Sequence, residues 1–372
     1  MLKEHLDYVA DAARLESFRA AIARTVPPGS TVVDLGCGSG VLGLLCLQAG
    51  AARVYAIDET DMIEVARETL ARAGFADRST CIRGRSTQLE LPERVDLAIC
   101  DHVGYFGFDY GVIGLLADAR RRFLKPGGRL IPQQIRLELA AVGSEKCTEL
   151  VDNWGAERVP PEFHWLRECS VNTKHPVELG KDDVLTSPAP LAEIDLRADN
   201  PEFVSFSAGL QATRDAVMHG LAGWFDCQLS DGVHMTNSPL ADRPIHRPQA
   251  FLPIAEAVTL HKGDRIHATV IARPADALLA WNVRLPEAGK RFSHSTWHGL
   301  PMTPEQLVHA NPDRVAKLGR EGRARLAVLG YCDGKRSARE IEEAVLREHP
   351  QLFPDRAEIS RFVARVLGRD AA

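Results

Sequence analysis

The stretch Thr31–Gly43, TVVDLGCGSGVLG, decides the fold of this 372-residue chain. Apolar residues surround Asp34, and Gly36, Gly38 and Gly40 follow before a second apolar run. This pattern predicts a buried strand, a tight glycine turn and the start of a helix. Because glycine has no Cβ, the backbone of such a turn can pass close to a ligand.

A second predicted strand, Arg53–Ile57, is followed by Asp58 and Glu59. An acidic side chain at this position can bind both hydroxyls of a ribose. The turn is G-x-G-x-G rather than the G-x-G-x-x-G of dinucleotide binders, and Asp34 lies inside the strand. The arrangement resembles the cofactor half of class I S-adenosylmethionine-dependent methyltransferases, which implies that Asp34, the three glycines, Asp58 and Glu59 bind S-adenosylmethionine. The alternative is a Rossmann-like turn that binds another nucleotide or none.

Composition is that of an ordinary globular protein, with 45% hydrophobic and 26% charged residues. The net charge of −5 gives no support for a nucleic-acid or anionic-membrane partner. No apolar run approaches the ~20 residues of a membrane span, and the charged N-terminus is not a signal peptide. The eight cysteines show no metal-ligand spacing, so we expect no metal site and a cytoplasmic location.

Helical and strand patterns alternate through the first third of the chain. This alternation predicts an α/β fold with a Rossmann-like, doubly wound parallel sheet over residues 1–132. We predict helices over Leu6–Arg24, Met62–Ala73 and Ile113–Phe123, strands over Ser79–Arg85, Arg94–Cys100 and Arg136–Ala141, and a turn at LKPGGRLIP (124–132).

The pattern changes near residue 133, where short alternating runs separated by Gly and Pro replace the helices. They predict a strand-rich, β-barrel-like domain over residues 133–302. Residues 151–172 interrupt the strands, either as an inserted arm or as an ordinary long connection. Helical patterns return in residues 303–372, and we predict four helices there: Thr303–Ala310, Asp313–Val328, Ser337–Glu348 and Asp355–Leu367. Ser337 and Glu340 form a predicted capping box.

Three features together resemble the protein arginine methyltransferase family. They are the donor-binding segment, the glycine-rich hairpin DHVGYFGFDYGV (101–112), and a series of barrel motifs. The barrel motifs are WFDC (224–227), TNSP (236–239) and IHRPQAF (245–251). The resemblance covers residues 6–285 and implies a divergent, bacterial-type member with a dimerisation arm at 151–172. It therefore implies a homodimer.

The resemblance also implies roles for individual residues. Arg14 matches an arginine that pairs with the carboxylate of the donor's methionine moiety. Asp11 matches an acid that pairs with the loop histidine, here His246. Ser86 and Thr87 fall at the positions that contact adenine.

The departures from the family pattern concern the acceptor. The first Glu of the hairpin is Asp101, and the second falls on Tyr110, with Asp109 beside it. The residues that flank His246 in the family loop, Thr and Trp, are Ile245 and Arg247 here. The aromatic N-terminal helix that covers the donor in the family is expected to be missing. These departures suggest an active enzyme with an altered acceptor.

Paired carboxylates can clamp a guanidinium and orient its nitrogen toward the methyl group. Asp101 is the retained carboxylate, and its alternative role is that of a turn residue. Either Asp109 or Tyr110 could replace the second acid, and His246 is a proton acceptor, a partner of Asp11 or simply a loop residue. Asp101, Asp109, Tyr110, His246 and Asp11 are thus the candidate catalytic residues.

The segment YCDGKRSAREIEEAV (331–345) faintly resembles small peptide-binding PqqD-like domains. The alternative is a packing or dimerisation appendage.

The sequence therefore predicts a methyltransferase that methylates nitrogen of a peptide, a protein (arginine-like) or an amine-bearing acceptor. Two alternatives stay open at this point. The first is a small-molecule biosynthetic N- or O-methyltransferase, and the second is a donor-binding interaction protein without catalysis.

Overall fold

The computed structural model describes residues 2–274, 278–299, 315, 317–353 and 355–370. The chain divides into two compact units, residues 1–301 and 302–372, which are described separately. In the described part of the chain, no helix has the length and apolar character that crossing a membrane requires.

A five-stranded parallel sheet forms the first half of the larger unit, in the order β3-β2-β1-β4-β5. Its strands are β1 (Thr31–Leu35), β2 (Arg53–Asp58), β3 (Ser79–Arg83), β4 (Val95–Ile99) and β5 (Leu124–Ile131). Helices α3 (Val41–Gln48), α4 (Met62–Arg72) and α5 (Val112–Arg122) connect them. All five residues of β1 are buried, as expected for a central strand with covered faces. The predicted Rossmann-like sheet is confirmed.

The LKPGGRLIP segment is not a turn, and that prediction was wrong. Residues Leu124–Ile131 form β5, which pairs with β4 in parallel register across an irregularity between Val95 and Leu97. The glycines concealed the strand because they interrupt its apolar pattern, whereas pairing to a buried neighbour stabilises it.

The predicted N-terminal helix is two helices, α1 (Leu2–Ala10) and α2 (Ala12–Thr25). They separate at Asp11, whose backbone is extended and whose side chain accepts a hydrogen bond from the Arg14 N–H at 3.0 Å. This N-cap ends one helix and begins the next. Helix α1 carries Tyr8 over the glycine turn, so the expectation that no N-terminal aromatic helix is present was also wrong.

Two antiparallel sheets form the barrel-like half of the larger unit. The first runs β7-β12-β10-β6-β8 with β11 on β10, and the second runs β15-β14-β13-β9. The strands are β6 (Gln134–Val142), β7 (His175–Val177), β8 (Ala189–Asp195), β9 (Val204–Gln211), β10 (Ala216–Ser230), β11 (Val233–Thr236), β12 (Gln249–Leu260), β13 (Arg265–Arg273), β14 (Leu278–Leu285) and β15 (Lys290–Ser295). One hydrophobic core runs from the parallel sheet into both antiparallel sheets.

Residues 151–172 are helical rather than extended. They lie between α6 (Glu145–Asp152) and the end of α7 (Leu166–Val171), with two short 3-10 turns between them. Trp154, Phe163 and Trp165 are 39%, 50% and 54% exposed there. Burial of these rings would require a surface outside this chain's described residues.

The smaller unit contains α8 (Arg320–Gly330), α9 (Ala338–Glu348) and α10 (Arg356–Asp370) around its own core. The predicted capping box is present: Glu340 N–H donates to Ser337 Oγ at 3.3 Å, and Ser337 N–H donates to Glu340 Oε2 at 2.8 Å. The predicted helix at 303–310 lies outside the described residues. The next helix begins at Arg320, after the non-helical residues Lys317–Gly319, rather than at Asp313.

Candidate functional site

A cavity of about 280 Å³ lies at the carboxyl ends of the parallel strands, where open α/β sheets bind their ligands. We call it the donor cavity. Its walls come from α1, α2, the glycine turn, the end of β2 and the hairpin after β4. The described residues that line it are Glu4, His5, Tyr8, Arg14, Asp34, Gly36, Cys37, Gly38, Ser39, Val41, Leu42, Asp58, Glu59, Thr60, Asp101, His102 and Tyr110.

The glycine turn leaves no room for side chains. Gly36 and Gly38 have φ angles of 60° and 52°, which L side chains rarely adopt. A Cβ on Gly36 would overlap the His102 ring, and a Cβ on Gly38 would lie 2.6 Å from the Cε1 atom of His5. Gly40, with φ 80°, is the N-cap of α3. The His102 and His5 rings therefore lie so close to Gly36 and Gly38 that only glycine fits at these two positions. We call this arrangement the cradle.

Asp58 ties the glycine turn to the end of β2. Its Oδ2 accepts the Gly38 N–H at 2.9 Å, and its Oδ1 accepts the Thr60 N–H at 2.8 Å and hydroxyl at 2.6 Å. Neighbouring Glu59 pairs with Arg85 at 2.6 Å. Both acids line the donor cavity, so both are placed where ligand hydroxyls could reach them.

Asp34 and His102 present unpartnered polar atoms in the donor cavity. Asp34 is 1% exposed; its Oδ2 accepts the Gly43 N–H at 2.8 Å, whereas its Oδ1 has no partner among the described residues. Burial raises the pKa of Asp34 to about 7. His102 Nδ1 is likewise buried without a described partner, and burial lowers the pKa of His102. Such orphaned atoms fit a ligand that carries both donors and acceptors, as S-adenosylmethionine does.

Asp101 lies between two guanidinium groups. Arg14 Nε donates to its Oδ2 at 2.5 Å, and Arg247 donates from Nη2 to Oδ2 at 3.1 Å and from Nη1 to Oδ1 at 3.3 Å. The side chains of Arg14, Arg247 and Asp101 are 4%, 7% and 8% exposed. Burial would raise the pKa of Asp101, but the Arg247 and Arg14 guanidiniums lower it to about 2. Asp101 is therefore an ionised anchor rather than a proton acceptor near neutral pH.

Arg14 and Asp11 both make contacts within the chain. Arg14 lines the donor cavity, but its guanidinium pairs with Asp101 and donates to the Tyr8 carbonyl at 3.0 Å. Asp11 does reach the loop between β11 and β12 (residues 237–248), which we call the barrel loop. There its Oδ2 accepts the backbone N–H of His246 at 2.7 Å. That contact fixes the loop rather than the imidazole, and His246 itself is exposed.

Within the hairpin, Asp109 and Tyr110 have different surroundings. Asp109 is buried, accepts the Tyr105 N–H at 3.0 Å and the Phe106 N–H, and pairs with Lys174. The Lys174 ammonium lies 4.2 Å from the centre of the Tyr105 ring, and burial lowers its pKa to about 8. Tyr110 is 48% exposed and lines the donor cavity. Asp109 thus holds the hairpin in shape, and Tyr110 is the one of the two that lines the donor cavity.

A second cavity, of about 450 Å³, is lined by residues of α1, of the hairpin and of the loop before β12. We call it the acceptor cavity. Glu4, Tyr8 and Tyr110 line both cavities, so the two meet at these side chains. The other lining residues are Lys3, Asp7, Gly104, Tyr105, Glu178, His246, Arg247 and Pro248.

Two predicted donor contacts are placed elsewhere. Ser86 is buried in a 3-10 turn with its carbonyl bound to Arg122 at 2.5 Å, and Thr87 is exposed. Neither is among the described residues that line the donor cavity. Sequence reasoning also missed the walls formed by His5, Tyr8 and His102. The only sequence signal for these residues is that His5 and Tyr8 lie close to Asp11 in the chain and His102 lies next to Asp101.

Comparison with known proteins identifies both halves of the larger unit. Residues 32–128 match a family described as a methyltransferase domain, and residues 140–285 match the arginine methyltransferase oligomerization subdomain. Together these matches cover the glycine turn, the hairpin and the barrel loop.

Curated relatives match this chain over more than half of its length. The chain is 31% identical over 236 residues to the probable protein arginine N-methyltransferase 6 of Arabidopsis thaliana, covering 61% of this chain and 54% of that relative. It therefore spans about half the length of that plant protein. It is 28% identical over 285 residues to protein arginine N-methyltransferase 1 of Schizosaccharomyces pombe, covering 73% of this chain and 82% of the yeast protein.

Solved structures show the same fold. The chain matches the Trypanosoma brucei PRMT1 enzyme-prozyme complex with AdoHcy at a TM-score of 0.69 and 21% identity, covering 79% of this chain and 98% of that one. Protein arginine methyltransferase 10 of Arabidopsis thaliana matches at 0.68 and 21%, with 80% and 98% covered. With both family matches, these likenesses make the larger unit of this chain similar, in both of its halves, to S-adenosylmethionine-dependent protein arginine methyltransferases.

Proposed function

We propose that this chain methylates a side-chain nitrogen of a peptide or protein, with S-adenosylmethionine in the donor cavity and the acceptor in the acceptor cavity. The single observation that carries the proposal is the junction of the two cavities at Glu4, Tyr8 and Tyr110. The names of the relatives, which are protein arginine methyltransferases, favour a polypeptide acceptor.

The chain's own residues would hold the donor in defined ways. Asp34, Asp58 and Glu59 offer carboxylates to its amino and hydroxyl groups, Arg14 offers a cation to its carboxylate, and the glycine turn admits it without overlap. When bound, S-adenosylmethionine supplies a methyl group: the nitrogen lone pair of the acceptor bonds to the methyl carbon, the carbon–sulfur bond breaks, and the sulfur leaves as a neutral thioether.

Other residues would position the acceptor. Tyr8 and Tyr110 form the rim between the cavities, and the Asp101 anchor fixes the hairpin and the barrel loop against each other. Such positioning and exclusion of water are the main contributions a protein makes to methyl transfer.

The test is incubation of the full chain with isotopically labelled S-adenosylmethionine and a mixture of peptides that carry lysine, histidine or arginine, followed by mass spectrometry. We expect label on a side-chain nitrogen with the native chain and none with Gly36→Val. Donor binding by calorimetry without label on any peptide would contradict the proposed function.

We further propose a homodimer that buries the arm aromatics Trp154, Phe163 and Trp165. Large exposed rings of this kind concentrate at interfaces, and the matched barrel family is described as an oligomerization subdomain. Light scattering should give twice the chain mass for the native protein and the chain mass for Trp154→Ser/Trp165→Ser. A native monomer at micromolar concentration would contradict the dimer.

For the helical unit we propose a PqqD-like role in binding the leader segment of a peptide substrate in a bacterial-type pathway. A cavity of about 490 Å³ beside α8 is lined by Leu326, Tyr331, His349 and Leu352, and Leu326 is exposed. Leu326→Glu in the full chain should weaken binding of leader-containing peptides but not of leaderless ones. If the native chain and Leu326→Glu each bind leader-containing and leaderless peptides equally well, this role is contradicted.

We also propose a cytoplasmic location. All eight cysteines are free, which is typical of a reducing compartment. Fractionation of the source cells would test it, and recovery of the protein outside the cytoplasm would contradict it.

A further inference from the structure

The Asp101 carboxylate, which lines the donor cavity, is already occupied by two of the chain's own arginines: Arg14 lines the same cavity, and Arg247 lines the acceptor cavity. Asp101 accepts hydrogen bonds from Arg14 at Oδ2 and from Arg247 at both oxygens. All three side chains are less than a tenth exposed. An incoming guanidinium would need the same two oxygens in the same planar arrangement.

The charge at this position also opposes a cation. Arg14 and Arg247 carry two positive charges and Asp101 carries one negative charge, so the buried cluster has a net charge of +1. Tyr110 contributes a hydroxyl rather than a carboxylate at the shared rim, and Asp109 is paired with Lys174. Arg247 is held further by the Gly104 carbonyl at 3.1 Å and by the Tyr8 ring, whose centre is 5.3 Å from its Cζ. Contacts with Asp101, the Gly104 carbonyl and the Tyr8 ring therefore fix the position of the Arg247 guanidinium.

We propose that Arg247 is a specificity-determining residue, which excludes arginine and selects an acceptor that presents a primary amine in its uncharged form. This inference rests on the proposed function, since it names the acceptor group of the same site. Arg247 acts by filling the position where a guanidinium would bind and by making the junction cationic.

An amine and a guanidinium respond differently to a cationic, desolvated site. A lysine-type amine has an ordinary pKa near 10.4 and can be lowered by several units when buried. A guanidinium has a pKa above 12 and stays protonated in proteins. The cluster can therefore favour the neutral, nucleophilic form of an amine, with its proton passing to solvent, but cannot do the same for arginine.

One amine of the chain beside this cavity shows the effect of desolvation, even though it also pairs with Asp109. Lys174 lies against Tyr105, which lines the acceptor cavity, and burial lowers the pKa of Lys174 to about 8. An acceptor amine that reaches Arg247 would meet a like charge in addition to desolvation. Both effects lower its pKa.

Acidic side chains also line the acceptor cavity. Glu4, Asp7 and Glu178 line it together with Lys3, and Glu4 lines the donor cavity as well. An ammonium would be attracted into the cavity by these acids and would lose its proton beside Arg247.

The test uses two peptides that are identical except for a single lysine or arginine. Their affinities for the native chain, Arg247→Met and Arg247→Gln are measured by calorimetry in the presence of S-adenosylhomocysteine. We expect the native chain to bind the lysine peptide at least tenfold more tightly. In either folded variant, the preference should shift toward the arginine peptide by at least tenfold.

A matched control comes from the same loop. Arg243 is exposed and pairs with Glu16 on α2, away from Asp101, so Arg243→Ala should keep the native preference. The inference is overturned if the native chain binds the arginine peptide as tightly as the lysine peptide, or if the preference is unchanged in the folded Arg247 variants. A lysine preference without methylated product would contradict the proposed function and leave the role of Arg247 supported.

Discussion

The donor and acceptor cavities lie side by side but are built in different ways. The donor cavity takes most of its floor from one continuous segment, residues 34–60, in which a strand, a turn, a helix and a second strand follow one another. The acceptor cavity is assembled from α1, the hairpin and the barrel loop, which are far apart in the sequence. Local pattern therefore determines the first, and long-range pairing determines the second.

The ion cluster of Arg14, Asp101 and Arg247 connects the two cavities. Each charge comes from a different element, and the cluster fixes α2, the hairpin and the barrel loop relative to one another. Changes to the cluster should therefore affect folding as well as ligand binding, whereas changes to the glycine turn should affect mainly donor binding.

The largest effect is expected for Asp101→Asn, which leaves two buried guanidiniums without their shared carboxylate. Removal of one partner from a buried ion pair typically costs about 3–5 kcal/mol. Urea denaturation should show a loss of free energy of unfolding in this range. The double variant Asp101→Asn/Arg247→Gln should recover part of it, because only one buried cation remains. Equal stabilities of the native chain and Asp101→Asn would contradict the connecting role of the cluster.

The next effect concerns the glycine turn. Gly36→Ala combines an unfavourable φ with overlap of the His102 ring, and we expect it to lower donor affinity by about 2–4 kcal/mol. Calorimetry with S-adenosylhomocysteine measures this. The matched control is Gly74→Ala, since Gly74 has a φ of 81° in open space and should show strain without loss of donor affinity. Equal donor affinity for both variants would show that the cradle is unimportant.

Asp58→Ala should weaken donor binding by about 1.5–3 kcal/mol, the range for hydrogen bonds to charged groups. It also leaves the Gly38 N–H without its partner. The measurement is again calorimetry, and Asp61→Ala, an exposed acid close in sequence, is the control. Native affinity in Asp58→Ala would remove the assignment of Asp58 to the donor.

The last expected effect is a pH dependence of stability from Asp34. Its pKa is raised to about 7 in the folded chain and is near 3.9 when unfolded. Between about pH 4 and 7 the folded state holds a proton that the unfolded state has released, so the free energy of unfolding falls as the pH rises.

The slope from this one group is at most about 1.4 kcal/mol per pH unit. Comparison of the native chain with Asp34→Asn by denaturation at several pH values isolates it, because the other titrating groups are shared. A difference that stays constant from pH 4 to 7 would mean that Asp34 does not titrate in this range.

The sequence by itself determined the parallel sheet and the part of the donor cavity that residues 34–60 form. Asp34, the glycines and Asp58 belong to contiguous elements, and the apolar run of β1 and the positive φ of the turn leave few alternatives to strand, turn and helix. The same local logic explains the capping box at Ser337. It failed at β5, where glycines mask a strand that only pairing with β4 stabilises.

Only the tertiary structure determined which side chains line the acceptor cavity and which are paired elsewhere. Asp109 and Tyr110 are adjacent in sequence, yet one is buried against Lys174 and the other lines both cavities. Arg247 was visible in the sequence only as a departure from a family pattern, and its pairing with Asp101 brings together two residues that are 146 positions apart. The role of a charged side chain depends on its burial and on its partners, and local spacing in the sequence determines neither.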